Sequence, residues 1–134
     1  MGQQQLLLIV LSVIIVGIAV VVGINMFSAS AASSNLEAVT NDLLNLAARA
    51  QQYYVKPGSM KGGEGAETNS FTGLLIADLT AKPDNDNGTY SVEEDGESAT
   101  ITGVGTQDGD NDGTNCTVQV VVTSTGITTT VQNR

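Results

Sequence analysis

Residues Leu6 to Ile24 read LLLIVLSVIIVGIAVVVGI, nineteen positions with no charge and Ser12 as the one polar side chain. No ordinary globular core absorbs such a segment. As a helix it spans roughly 28 Å at 1.5 Å per residue, close to the hydrocarbon thickness of a bilayer. A helix satisfies its own backbone hydrogen bonds in lipid, so the β-branched content is no obstacle there. Gly17 and Gly23 are weak points of that helix and also places where neighbouring helices can approach closely. Three surroundings fit the run. One is a cleaved secretory signal, for which Ala29-Ser30-Ala31 offers an A-x-A site, although Met1–Gln5 has no Lys or Arg and the run exceeds the usual apolar core of a signal. The second is a permanent membrane anchor. The third is a helix held first in lipid and afterwards in the core of a polymer.

The residues that follow favour the third. Residues 28–35, SASAASSN, contain neither proline nor glycine. Leu36, Val39, Leu43, Leu46, Ala50 and Tyr53 then recur at a 3-4-3-4-3 spacing, which lays one apolar stripe along a helix. Asn35, Glu37, Asp42 and Arg49 are among the residues assigned to its other faces. Lys56-Pro57-Gly58 ends the pattern, so the helix is expected to stop near Val55. The expectation is one helix of about 50 residues, roughly 75 Å long. The alternative is two helices hinged within SASAASSN.

Residues 56–87 read as a glycine-rich connecting loop, with 56–70 exposed. Phe71 and Leu74-Leu75-Ile76 are expected to tuck against the helix or sheet. From residue 88 the pattern is β. Expected strands are Gly88–Glu94, Ser98–Gly105, Asn115–Ser124 and Ile127–Gln132, with turns at Asp95-Gly96 and Thr125-Gly126. Thr, Val and Ile dominate these segments, as half-buried pleated surfaces favour. The fold class is therefore α+β, a long N-terminal helix packed on a four-stranded antiparallel sheet. Residues 1–27 form an apolar transmembrane or filament-core half, 28–55 an amphipathic half and 88–134 the sheet, with 28–134 together making a globular head.

A long helix, apolar and then amphipathic, followed by a glycine-rich loop and a small antiparallel sheet, resembles the type IV pilin family. The residues carrying the resemblance are Met1–Phe27, MGQQQLLLIVLSVIIVGIAVVVGINMF, with Leu36–Tyr54 behind them. The resemblance implies a structural subunit of an extracellular filament, stored in the inner (cytoplasmic) membrane, trimmed by a prepilin peptidase and passed to a pilus assembly machinery. Its partners are other copies of itself in a helical homo-oligomer. Such filaments serve adhesion, motility, DNA uptake or secretion. The assembly surface falls on Gln5, Leu6, Ile9, Val13, Val16, Gly17, Val20 and Gly23. The family's basic leader does not precede Gly2, so Met1-Gly2 is either what remains of a leader or the start of a processed chain. Gln3, Gln4 and Gln5 stand where the family carries a glutamate, and glutamine hydrogen-bonds without forming an ion pair. A single cysteine excludes an intrachain C-terminal disulfide. Minor pilins, secretion-system pseudopilins and archaeal-type pilins are variants of the same resemblance.

The net charge of −9 bears on partners. No charged residue precedes Glu37, nine acids lie between Asp84 and Asp112, and no Lys or Arg separates Lys82 from Arg134. That surface repels phosphate backbones, which argues against nucleic acid as a partner. With no histidine, the usual general base is missing; no nucleophile–base pair or phosphate-cradling loop appears either. An enzyme is not expected. No cofactor is required.

Two motifs offer chemistry. Asp108, Asp110 and Asp112, followed by Gly113, have the D-x-D-x-D-G spacing of a calcium loop, whose alternate oxygens converge on one hard cation. Gln119 occupies the twelfth position in place of a bidentate glutamate, and a solvated acidic turn between strands explains the same residues. Asp84–Gly88 is a weaker copy. Asn87-Gly88-Thr89 and Asn115-Cys116-Thr117 match the N-glycosylation acceptor, with Asn87 the better placed. Cys116 is expected to be small and buried, Tyr53 to pack on the sheet and Tyr54 to lie at its edge. The alternative to a filament subunit is an anchored or secreted acidic β-domain that binds calcium or a surface ligand and does not polymerise.

Overall fold

A computed structural model describes residues 2–61, 67–110 and 112–134. Helix α1 runs unbroken over Gly2–Val55, 54 residues and about 80 Å. SASAASSN does not hinge. Its residues are short, form no strand and leave the i→i−4 ladder intact, so continuity with the two flanking helical segments decides their state. Two single-turn helices follow, α2 over Gly58–Lys61 and α3 over Ile76–Leu79.

Strands β1 (Gly88–Glu94), β2 (Ser98–Gly105), β3 (Thr117–Thr123) and β4 (Ile127–Asn133) form one antiparallel sheet in the order β1-β2-β3-β4. The third strand is shorter than the expected Asn115–Ser124. Asn115 and Cys116 lie before it, with the Cys116 N–H on the Gln107 carbonyl, and the Cys116 carbonyl accepts from Gly105 N–H. The last strand reaches Asn133, one residue further than expected.

The sheet presents Tyr90, Ala99, Ile101, Val118, Val120 and Val122 to the amphipathic half of α1, which buries Val39, Leu43, Leu46, Ala47, Ala50 and Tyr53 in return. Period-2 alternation on β2 and β3 meets period-3.6 recurrence on the helix, and both apolar faces leave water together. Gly103 permits the close approach: a Cβ there would strike Val39 and the Tyr90 ring.

Of the connection expected to be exposed over 56–70, residues 56–57, 59–60 and 67–69 are exposed, 62–66 lie outside the described residues, and Lys61 and Ser70 are buried. Lys61 is buried, and its ammonium donates to the carbonyls of Tyr54, Ser70 (2.6 Å) and Glu67 while lying 4.7 Å from the centre of the Tyr53 ring. Three carbonyls and a ring face satisfy the cation, with no carboxylate paired to it among the described residues. Phe71 and Leu74 are buried as expected, but Leu75 is exposed, because it caps the first turn of α3 with its backbone on Asp78.

Candidate functional site

In the free chain α1 has two environments. From Gly2 to Ser30 every residue is exposed, and burial begins at Ala32. The large apolar side chains of 6–27 are 50% (Val22) to 76% (Phe27) accessible. Gln5, Leu6, Ile9, Val13, Val16, Gly17, Val20 and Gly23 all lie on this projecting half and are exposed. A Cβ added at Gly17 or Gly23 would meet no atom within 4 Å, so the head gives no reason for glycine at either place. Ser12 turns its hydroxyl onto the Leu8 carbonyl at 2.7 Å, which leaves the segment without a free polar side chain between Leu6 and Ile24. One helix is thus long and apolar enough to cross a membrane.

The apolar half leaves the head at a polar junction centred on Asn35. Its Nδ2 donates to the Asn87 carbonyl at 2.8 Å. Its Oδ1 accepts from Thr106 N–H at 2.8 Å, Gln107 N–H at 3.3 Å and the Cys116 thiol at 3.1 Å. One side chain therefore ties the helix to the starts of β1 and β3 and the end of β2. Gly105 makes room, since a Cβ there would fall within 3.0 Å of both Asn35 Oδ1 and Cys116 Sγ.

Seven residues along the same flank stands Asp42, and seven further stands Arg49. Asp42 Oδ2 accepts from Asn85 Nδ2 at 3.0 Å, Asn87 Nδ2 at 2.9 Å and Tyr90 Oη at 2.6 Å. Arg49 donates to the Leu79 carbonyl at 2.5 Å. The sequence places these three residues on faces outside the apolar stripe, and the structure gives each a partner in the head. A polar row at i, i+7, i+14 bordering the apolar stripe is the signal that marks them, because it stays beside the stripe for about four turns.

Burial raises the pKa of the Asp42 carboxyl, but the hydrogen bonds from Asn87, Tyr90 and Asn85 outweigh it and hold the group below its ordinary value. Tyr90 is raised by burial and by the same carboxylate. The sign for Asp42 is that of a depressed acid: its contribution is complete above the unfolded value near 3.9 and is lost as pH falls through the folded value. Asp42→Leu is expected to cost about 1–3 kcal/mol at pH 7, because three donors lose their acceptor. Urea denaturation from pH 7 to 3, followed by circular dichroism, checks it. The gap between wild type and variant should narrow below about pH 4; a gap constant over the whole range would refute the assignment.

The three loop acids come together. One carboxylate oxygen each from Asp108, Asp110 and Asp112 lies within 4.8 Å of the others. The loop also closes on itself: Asp108 Oδ2 accepts from Gly113 N–H, Asp110 Oδ1 from Asp112 N–H, and Asp112 from Thr114 N–H and Asn133 Nδ2. Asp108 Oδ1 is the exception, buried with no donor among the described residues. The oxygen set suits a hard cation, and the internal bonds account for the turn without one. Asn111 lies outside the described residues. Asn87 spends its amide on Asp42, whereas Asn115 is exposed and donates to the Gly105 carbonyl. Cys116 is fully buried. Tyr53 packs in the core with its hydroxyl on the Thr72 carbonyl, and Tyr54 lies at the edge of the core, 4.9 Å from the Phe71 ring.

No family model matches this chain, and no curated protein or solved structure does.

Proposed function

We propose that this chain is a structural subunit of an extracellular filament of the type IV pilus kind, polymerising through the apolar half of α1. The observation that carries the reading is the division of one continuous helix into an amphipathic half docked on the sheet and an apolar half docked on nothing. Each large side chain of 6–27 gains about 1.5–3 kcal/mol on leaving water. Lipid supplies that burial before assembly, and the same segments of other copies supply it afterwards. Stored in the cytoplasmic membrane and released to the cell surface, the subunit would expose its acidic head and hide its uncharged stalk. Gly17 and Gly23, without a role inside the chain, allow close helix–helix approach in the polymer.

Electron microscopy of material sheared from cells expressing the chain, with mass spectrometry of its N-terminus, is the direct test. Thin filaments containing the chain with residues 3–27 retained are expected. An unpolymerised protein beginning near Ala32 would refute the proposal and leave a secreted acidic β-domain.

A further inference from the structure

A helix about 10 Å across covers roughly two strands spaced 4.8 Å apart. Here α1 lies over β2 and β3, which leaves a ledge on each side of it. The ledge over β1 is filled by the chain itself, where α3 and Leu79 pack between α1 and β1. The ledge over β4 is not filled. In the β3–β4 register Val118 faces Val131, Val120 faces Thr129 and Val122 faces Ile127. Cross-strand partners share a face, so Ile127, Thr129 and Val131 point to the same side as the buried valines, yet they remain exposed. Ile127 is 38% and Val131 42% accessible. The flank of α1 opposite Asp42 and Arg49 borders this ledge and adds the half-buried Leu36.

Charge and continuity narrow what can fill it. Ile127–Asn133 carries no charge in a chain of net −9. A second acidic head gains nothing by meeting an uncharged ledge. The extended uncharged apolar surface available to match it is residues 6–27. Just beyond the end of β4 a cleft of about 220 Å³ joins Ala29, Ala32, Ser33 and Leu36 of α1 to Gly109 and Arg134, close to where residues 6–27 leave the head. We propose that the β4 ledge seats the apolar half-helix, residues 6–27, of a second copy of this chain. The seated helix would lie beside α1 on the sheet, as α3 does on the other side, and would cover Ile127 and Val131. The inference rests on the filament reading above and adds to it a specific contact between stalk and head.

A filament reconstruction from the full-length chain at side-chain resolution tests it, together with assembly of Val131→Lys. Residues 6–27 of a neighbouring copy are expected within about 4.5 Å of Ile127 and Val131. Val131→Lys is expected to lower pelletable polymer at least tenfold while the detergent-solubilised monomer keeps its denaturation midpoint, since Val131 is exposed there. Filaments with solvent or another head over β4, or wild-type yield from Val131→Lys, would overturn this contact and leave the filament reading standing. Failure of the wild-type chain to polymerise at all would overturn both.

Discussion

Val16→Glu is expected to remove the chain from filaments while leaving its head folded. Val16 is 61% accessible in the free chain and contacts no residue of the head, so the sheet and its helix do not sense the change. Once α1 is packed among copies of itself, the same position is surrounded by Leu, Ile and Val side chains, and a carboxylate there has no partner. No Lys or Arg occurs before Arg49, and the glutamines at 3–5 stand far along the helix. Insertion scales put an ionised side chain at the centre of an apolar helix about 2.5–3.5 kcal/mol uphill, which is roughly a hundredfold per subunit contact. That cost recurs at every subunit, so polymer recovery should fall to background. Val16→Ile, which keeps the apolar surface, should assemble as wild type. Pelleting of sheared material and quantification of the membrane fraction measure the effect. Filaments from Val16→Glu at wild-type yield would mean that residues 6–27 are not the polymer core.

That expectation was legible in the sequence because hydrophobicity and period are local properties. The unbroken helix, its end at Val55, the four strands and the buried valines follow from spacing alone. What was not legible depends on partners distant in the chain. Asn35 bonds residues 52 to 81 positions away, and Asp42 residues 43 to 48 positions away. A polar residue on a helix reads as solvated until the sheet that satisfies it is in place. Lys61 is the same case in a stronger form. Its cage is built from the last turn of α1 and from residues on the far side of a glycine-rich stretch, so a lysine amid glycines reads as an exposed loop. The β4 ledge was hidden for a different reason. Alternation shows that Ile127, Thr129 and Val131 share a face, but only the position of α1 shows that this face is left uncovered. The motif at 108–112 was found by spacing, and the structure brings its three carboxylates together.

Glycines 103 and 105 carry a sequence signal of their own, since glycine inside a strand marks a close approach of another chain segment. From this follows the largest expected effect on the fold. Gly105→Val is expected to destabilise the head by about 3–5 kcal/mol. Its Cβ would fall within 3.0 Å of Asn35 Oδ1 and Cys116 Sγ, and neither is the end of a free, flexible side chain. Overpacking of this kind costs about 1–3 kcal/mol. Displacing Asn35 to relieve it strands the Thr106 and Gln107 N–H groups and the Asn87 carbonyl, at about 1 kcal/mol or more each after allowance for their partial access to water. For a head of about 100 residues the thermal midpoint should fall by roughly 15–30 °C. Circular dichroism of the detergent-solubilised full chain measures it. Gly126→Ala serves as the control, because a Cβ there meets no atom within 4 Å and the midpoint should hardly move. The clash predicts coupling as well. Asn35→Ala and Gly105→Ala each destabilise, but the pair should cost less than the sum, since each removes what the other collides with or supports. Strict additivity, or a Gly105→Val head as stable as wild type, would mean that α1 does not lock onto the sheet at Asn35. The helix would then be free to bend at 28–35, and the rigid stalk on which the filament reading depends would be lost.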